Sequence, residues 1–577
     1  MHRIVYCLFF LISSAVFAQK KYYLKPSFCC DSEKLIKLNI ETVFDDSLKR
    51  QSEIERIISA YQSNGFANIT IDSVKFSAST QNVFFSVGNK FNWIKLSKGN
   101  NSIEAIRASG FNAKDFKNKP FSFSAFKNLT TRLLQYYENN GYPFASVYLD
   151  SVKLSEKEVF GILTVDKKQL FTIDTIRLVG TKVISNTYIE SYIDIKKGDF
   201  YNQKSINAIS SRIRELSFLK QKRDPELIFI DDKVKINIFP DKQNANQFDG
   251  VIGFLQNETA GKTTLQLTGD IRLKLLNAFK QAELVDLTAR FQPNQSQDLK
   301  LNVVYPYLLR LPIGIDARIE IFKRDTSFLD LTRELGFQYL LSGGNYLKVF
   351  VRSKNSSLLS TSQYKSVTIL PSFADINFSS YGLAIRFEKL DYRLNPRKGI
   401  SFNSSISVGN KRIKKNGDLP SLLYDSLKLE STQYSISLNA DYFYPLGRRS
   451  TLKIGANNGY IISDQLFENE LFRIGGNKDL RGFDELSIPA NAFIIGTIEY
   501  RYLLEQNSFL FGFVSPAYFE NYSRRQSFSS FVYSIGSGIS FQTKAGIFSL
   551  SYALGKQEKI PLSLQTGKIH FGLISYF

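Results

Sequence analysis

From Asn246 to the end, the chain reads as one long series of two-residue alternations, and nothing else in it limits the fold so strongly. Leu265, Leu267, Ile271 and Leu273 fall on one face of a strand, while Thr264, Gln266, Thr268, Asp270, Arg272 and Lys274 take the other. The stretch 433–444 repeats the pattern: Tyr434, Ile436, Leu438, Ala440, Tyr442 and Tyr444 alternate with Gln433, Ser435, Ser437, Asn439 and Asp441. Further runs follow at 285–291, 299–305, 313–321, 331–341, 402–408 and 494–502. These lengths suit a tilted membrane-crossing strand, and tyrosines and phenylalanines gather near the strand ends, where an interfacial girdle would lie. A soluble sandwich would also alternate, but its one-sided core would not require so many long strands. A bilayer offers no water to an open sheet edge, so such strands must close on themselves. Residues 246–577 are therefore predicted to form an all-β transmembrane barrel of about 16 antiparallel strands.

The start of the chain agrees with export. Arg3, an apolar run over 4–17 and the small residues of Val16-x-Ala18 read as a signal peptide over 1–18, with cleavage before Gln19. No later stretch has the roughly 20 continuous apolar residues of a membrane-spanning helix. Lysine and arginine outnumber aspartate and glutamate by 74 to 53, a formal charge of +21. The excess divides evenly about Asn246 and forms no basic block, which points to anionic lipid or acidic partners rather than nucleic acid. Cys29 and Cys30 are adjacent and cannot join distant segments; they read as part of an exposed N-terminal segment, 19–33.

Before the barrel the pattern mixes helices with short strands, and part of it recurs. Ile57-Ile58-Ser-Ala-Tyr61-Gln-Ser-Asn-Gly65-Phe66 matches Leu133-Leu134-Gln-Tyr-Tyr137-Glu-Asn-Asn-Gly141-Tyr142, and each is followed by a strand ending in Asp-Ser-Val, at 72–74 and 150–152. The physical reading is an amphipathic helix stopped by glycine, with the next aromatic packing back on it. A third, more divergent unit has strands predicted at 171–179, 226–230 and 233–239, and helices at 187–195 and 203–218. The expected units are 34–88, shortened and with one helix, then 89–167 and 168–242. A strand-helix-helix-strand-strand unit of this size resembles the polypeptide-transport-associated (POTRA) domain, an α+β fold whose sheet leaves an edge open to another chain.

Late in the chain stands Phe472-Arg-Ile-Gly475-Gly476-Asn-Lys-Asp-Leu480-Arg481-Gly482-Phe483-Asp-Glu485. With the repeats, the alternating strands and a terminal Phe577, this stretch resembles the BamA/TamA-type outer-membrane assembly proteins. The resemblance implies that the Arg-Gly-aromatic loop of Gly475, Gly476, Leu480, Arg481, Gly482 and Phe483 turns back into the barrel lumen. There its arginine would meet an acidic wall residue. Alternation places Glu499 inward with Thr497 and Arg501, opposite Ile498 and Tyr500, so Glu499 is the expected partner of Arg481. The next strand departs from the family pattern, with Ser515 at the position of a usual aspartate and Ala517 at that of a glycine. Pro516 has no amide to donate, so that strand is expected to bulge or end there. The last strand, with His570, Gly572 and Phe577, resembles the C-terminal signal of outer-membrane barrels, although Ser575 stands where that signal has a hydrophobic residue. The resemblance also implies a weakly closed seam between first and last strands; Gly250, Gly253, Gly567 and Gly572 lie in these segments.

Catalysis finds no support. His570 is the only histidine outside the signal segment, which excludes a histidine triad or multi-histidine metal site. There is no Gly-x-Ser-x-Gly elbow and no phosphate-binding Gly-x-x-x-x-Gly-Lys-Ser/Thr loop. The expectation is a protein of the Gram-negative outer membrane, with no enzyme activity and no cofactor, its repeats in the periplasm. It would capture client outer-membrane or exported polypeptides through the repeats and insert or move them through the barrel, with periplasmic or lipoprotein accessory partners and outer-membrane lipid around it. Two other readings stand beside this one: a two-partner-type secretion pore for a dedicated exported protein, and a passive channel or structural protein.

Overall fold

The computed structural model describes residues 21–29, 35–155, 158–180, 182–259, 262–291, 296–361, 370–477, 479–557, 562 and 564–577. The signal segment 1–18 and Cys30 lie outside them. Two compact units emerge: one holds the chain up to Asp174 with Lys197–Ile206 and Phe229–Val234, the other Thr175–Lys196, Asn207–Ile228 and Lys235–Phe577.

In the first unit, two modules are built alike. Helix Ser47–Ser63 is capped by the Asp46 carboxylate, and helix Phe123–Glu138 by the Ser122 hydroxyl. Each buries one stripe, Ile54, Ile57 and Tyr61 in the former and Leu129, Leu133 and Tyr137 in the latter. Each ends at a positive-φ glycine, Gly65 or Gly141, and the following aromatic returns its amide to the helix, Phe66 to Tyr61 and Tyr142 to Tyr137. The recurring Asp-Ser-Val also acquires a structural meaning. It marks a register shift in the edge strand of both sheets, between Ile71 and Ser73 in Thr70–Ser77 and between Asp150 and Lys153 in Ser146–Leu154. Such bulges bend an edge and shorten the backbone that a foreign strand can follow.

The first module is larger than its sequence pattern suggests. Strand Tyr22–Cys29 runs parallel to Thr80–Ser86 inside a four-stranded sheet, so the fold begins before residue 34 and the segment 19–33 is not a free N-terminus. Alternation is weak there because Pro26 and two cysteines interrupt it. The segment 168–242 contains strand Thr172–Leu178, helices Asn186–Ile193 and Gln203–Glu215, and strands Leu219–Ile230 and Lys233–Lys242. Its helix stops earlier than 218, and the following strand starts at Leu219 although it contains Pro225. That strand lies at the sheet edge, where a missing amide leaves no ladder bond unmade.

The second unit contains a closed barrel of sixteen antiparallel strands, from Gln247–Thr259 to Lys568–Tyr576. No helix among the described residues is long and apolar enough to cross a membrane; strands do the crossing. Outward residues are apolar and exposed, as with Leu335, Phe337 and Tyr339. Inward neighbours are charged and paired: Lys348 lies 2.8 Å from Glu334 and 3.4 Å from Asp316. One end carries short turns such as 446–449 and 506–507; the other carries the longer loops 414–429 and 464–491. The seam is short: the first strand pairs with the last only from Gln247 opposite Tyr576 to Ile252 opposite Phe571, yet with the second as far as Thr259 opposite Lys262.

Candidate functional site in the barrel lumen

The loop between the eleventh strand, Ser450–Ser463, and the twelfth, Ala492–Glu505, folds back into the lumen. A short hairpin, Phe472–Ile474 with Ile488–Ala490, forms its neck. Below it the Gly476 amide donates to the Leu480 carbonyl and the Leu486 amide to that of Gly475, which closes the tip. Leu480 is fully buried among Ile474, Ala490, Phe493, Ile495 and Ala517, and Phe483 packs against the same cluster. The loop is thus fastened by apolar burial before any charge is considered.

At the tip, Arg481 Nη2 donates to Glu499 Oε2 at 2.7 Å. Glu499 also accepts from Arg501 Nε on its other oxygen, at 2.8 Å, and is 4% exposed. One carboxylate therefore holds two guanidiniums, one from the loop and one from its own strand. Arg501 continues to Asn395 Oδ1, at 3.0 Å, in the turn 391–398. Gly482 explains how the tip comes so close to the wall. Its φ is +90°, and a Cβ there would stand 2.8 Å from the Gly555 amide nitrogen; one on Gly555 would stand 2.6 Å from the Gly482 carbonyl oxygen. Backbone meets backbone because neither residue has a side chain.

The position of the absent family aspartate is also accounted for. Ser515 is buried and its hydroxyl lies 3.1 Å from that of Thr497. Arg481 instead stacks on Phe513, 3.4 Å from the ring centroid, with Phe511 at 5.7 Å. Those rings need space, and Gly536 and Gly538 on the next strand provide it. Each stands opposite its phenylalanine, and a Cβ there would come within 2.6 Å of Phe513 and 2.5 Å of Phe511. Motif reasoning did not reach Phe511 and Gly555, nor the roles of Phe513, Gly536 and Gly538 beside Arg481. The Phe509-x-Phe511-x-Phe513 alternation facing Gly536-x-Gly538 is the signal that could have found most of them. Pro516 does not bulge or end its strand: Ser508–Ser523 runs through it with the register unchanged across Pro516 on both sides, the one shift lying at its start, between Leu503 and Glu505. Near Pro516 the pairing of Gly496 and Thr497 with this strand drops out, and the Thr497–Ser515 hydroxyl contact stands in that gap.

His570 and Gly572 lie in the last strand, opposite Ser551 and Ser549. Phe577 is exposed beyond its end, and its amide donates to the Asn246 carbonyl. Ile574 and Tyr576 face inward and share a cavity of about 310 Å3 with Arg481, Glu499 and Arg501.

Sequence reasoning also missed the outer half of the same loop. Phe467 is buried with Leu370, Leu419, Leu423, Tyr424 and Leu427 in an apolar cluster built from the long loops. Beside it, Glu468-Asn469-Glu470 is gripped from three strands. Arg324 reaches Glu468 at 3.0 Å, Lys354 the Asn469 carbonyl at 2.6 Å, and Lys411 Glu470 at 3.1 Å. The Asn469 side chain donates to Ser356 Oγ and the Ala374 carbonyl. These contacts roof that side of the barrel mouth.

A closed sixteen-stranded barrel with a loop anchored inside its lumen and α+β modules ahead of it defines a class of outer-membrane protein. Residues 277–575, just over half of the chain, match the Omp85 superfamily domain, and the chain belongs to that superfamily. No curated protein sequence matches it. Among solved structures, CdiB from Escherichia coli is 14% identical with a TM-score of 0.53, covering 92% of this chain and 98% of that one. CdiB from Acinetobacter baumannii is 12% identical with a TM-score of 0.54, covering 85% and 90%. BamA from Haemophilus ducreyi lacking POTRA domains 1-3 is 16% identical with a TM-score of 0.47, covering 84% and 100%. The two CdiB likenesses show the fold alone, α+β modules followed by a sixteen-stranded barrel. Omp85 proteins insert or translocate polypeptides and are not enzymes, and this chain falls in that class.

Proposed function

We infer that this protein assists the insertion of client polypeptides at the outer membrane, with its repeats in the periplasm and its seam as the exit. The short pairing of Gln247–Ile252 with Phe571–Tyr576 is the observation that carries this reading. A strand edge that lacks ladder bonds over much of its length can accept a client strand. The lumen itself is obstructed by the anchored tip and the loop cluster, which favours a sideways route. Clients would first meet the exposed edge Thr70–Ser77, where Ile71, Val74 and Phe76 stand in solvent. Its bulge limits strand addition to a short stretch.

The likeness to CdiB supports a second reading, a secretion pore for one dedicated protein. Depletion followed by outer-membrane proteomics separates the two: broad loss of barrel proteins supports assembly, and loss of one exported protein supports secretion. A disulfide across the seam, from Gly250→Cys with Leu573→Cys at opposed positions, should abolish assembly and recover on reduction. Full activity of the crosslinked protein would rule out the seam as the exit.

A further inference from the structure

The barrel end with the short turns carries arginines that its ion pairs leave uncommitted. Three turns, 391–398, 446–449 and 506–507, meet there around a groove of about 370 Å3. Arg397, Arg448 and Arg449 line it, together with Asp391 and Glu505. Asp391 is already occupied, because its Oδ1 accepts the amides of Tyr392, Arg397 and Lys398. Arg397 Nη2 donates to the Gly447 carbonyl at 2.8 Å, which fixes its guanidinium between two turns, while its buried Nε has no partner. Arg448 and Arg449 are exposed and enter no ion pair among the described residues. Three arginines against the two carboxylates Asp391 and Glu505 leave the groove with a net positive charge and an excess of forked donors, an arrangement suited to an oxyanion that can accept several N–H bonds at once.

The height of the groove identifies the anion. Leu504, which lines it, belongs to an outward row with Tyr500 and Tyr502, all exposed. Tyr442, Tyr444 and Leu446 continue that row on the tenth strand and its turn, and the register sets Tyr444 and Tyr500 level with each other, both opposite Leu452. An aromatic row of this kind marks the boundary between acyl chains and headgroups, which places the arginines at headgroup depth. We propose that Arg397, Arg448 and Arg449 bind the phosphate of an anionic phospholipid, whose acyl chains lie along Tyr444, Tyr500 and Leu504. The ligand would come from the leaflet on the side of the short turns. In the ring these are the tenth to twelfth strands, away from the first-to-last seam, so the lipid would bind a part of the wall that does not form the seam. The site does not depend on which polypeptide the barrel handles.

Native mass spectrometry of the full-length protein, released from nanodiscs of phosphatidylglycerol mixed with phosphatidylcholine, tests this. The wild type should retain phosphatidylglycerol selectively. The variant Arg397→Gln, Arg448→Gln, Arg449→Gln should retain at least tenfold less, with unchanged heat-modifiable migration. A control neutralising Lys280, Arg310 and Lys544 at other short turns should behave as the wild type. Equal loss in the control, undiminished retention in the triple variant, or displacement of the lipid by millimolar inorganic phosphate would each overturn the assignment.

Discussion

The outer and inner halves of the loop 464–491 are held in opposite ways. The outer half spreads its attachment: Glu468, Asn469 and Glu470 take partners from three strands above an apolar cluster. The inner half rests its arginine on one carboxylate, Glu499, which Arg501 shares, while Asp484 pairs with Lys568 of the last strand at 2.8 Å and Asn457 donates to Asp479 at 3.2 Å. Distributed attachment loses a fraction of its strength with each contact removed. The attachment of Arg481, by contrast, is lost with the one carboxylate it uses.

Glu499→Gln is the harshest test of that contrast. It leaves two guanidiniums facing each other without a counter-charge, so the tip should lose roughly 3 kcal/mol of docking, seen as trypsin cleavage at Arg481 in a fully assembled barrel. Continued protection would show that the apolar neck alone holds the tip. Gly482→Val comes next. A β-branched residue at φ +90°, against the Gly555 backbone, should cost about 2 kcal/mol and lift the tip; activity in a client-insertion assay equal to wild type would remove close backbone approach from the account.

Asn469→Ala acts on the other half and should cost about 1–2 kcal/mol locally. Its expected signature is higher single-channel conductance with Arg481 still protected from trypsin, and loss of both together would mean the halves are one unit. The smallest effect belongs to Phe513→Leu, which removes the face beneath Arg481 and should weaken docking by about 0.5–1 kcal/mol. If it proved as damaging as Glu499→Gln, by the same protease assay, the carboxylate would not be the principal anchor.

How much of this was legible in the sequence follows from range. The helix ends at Gly65 and Gly141 could be read directly, because caps and stops are decided within a few residues. Arg481 with Glu499 was reachable as well, since strand alternation tells which residues face the lumen. The Asp-Ser-Val repeat was visible, but its meaning as a bulge was not, because a bulge exists only relative to a partner strand. The early strand Tyr22–Cys29 was missed for the same reason: its parallel partner lies far along the chain.

By itself, then, the sequence determined the strand period, the inward and outward faces, the division into repeats and barrel, and the loop that bears Arg481. These are local or periodic properties, set by side-chain alternation and turn chemistry. Only the tertiary structure decided that Phe513 takes the place of a second acid, that Gly482 meets Gly555, and that Glu468-Asn469-Glu470 roofs one side of the barrel mouth. Each depends on strands brought level by barrel closure, and closure sets which distant residues share a height.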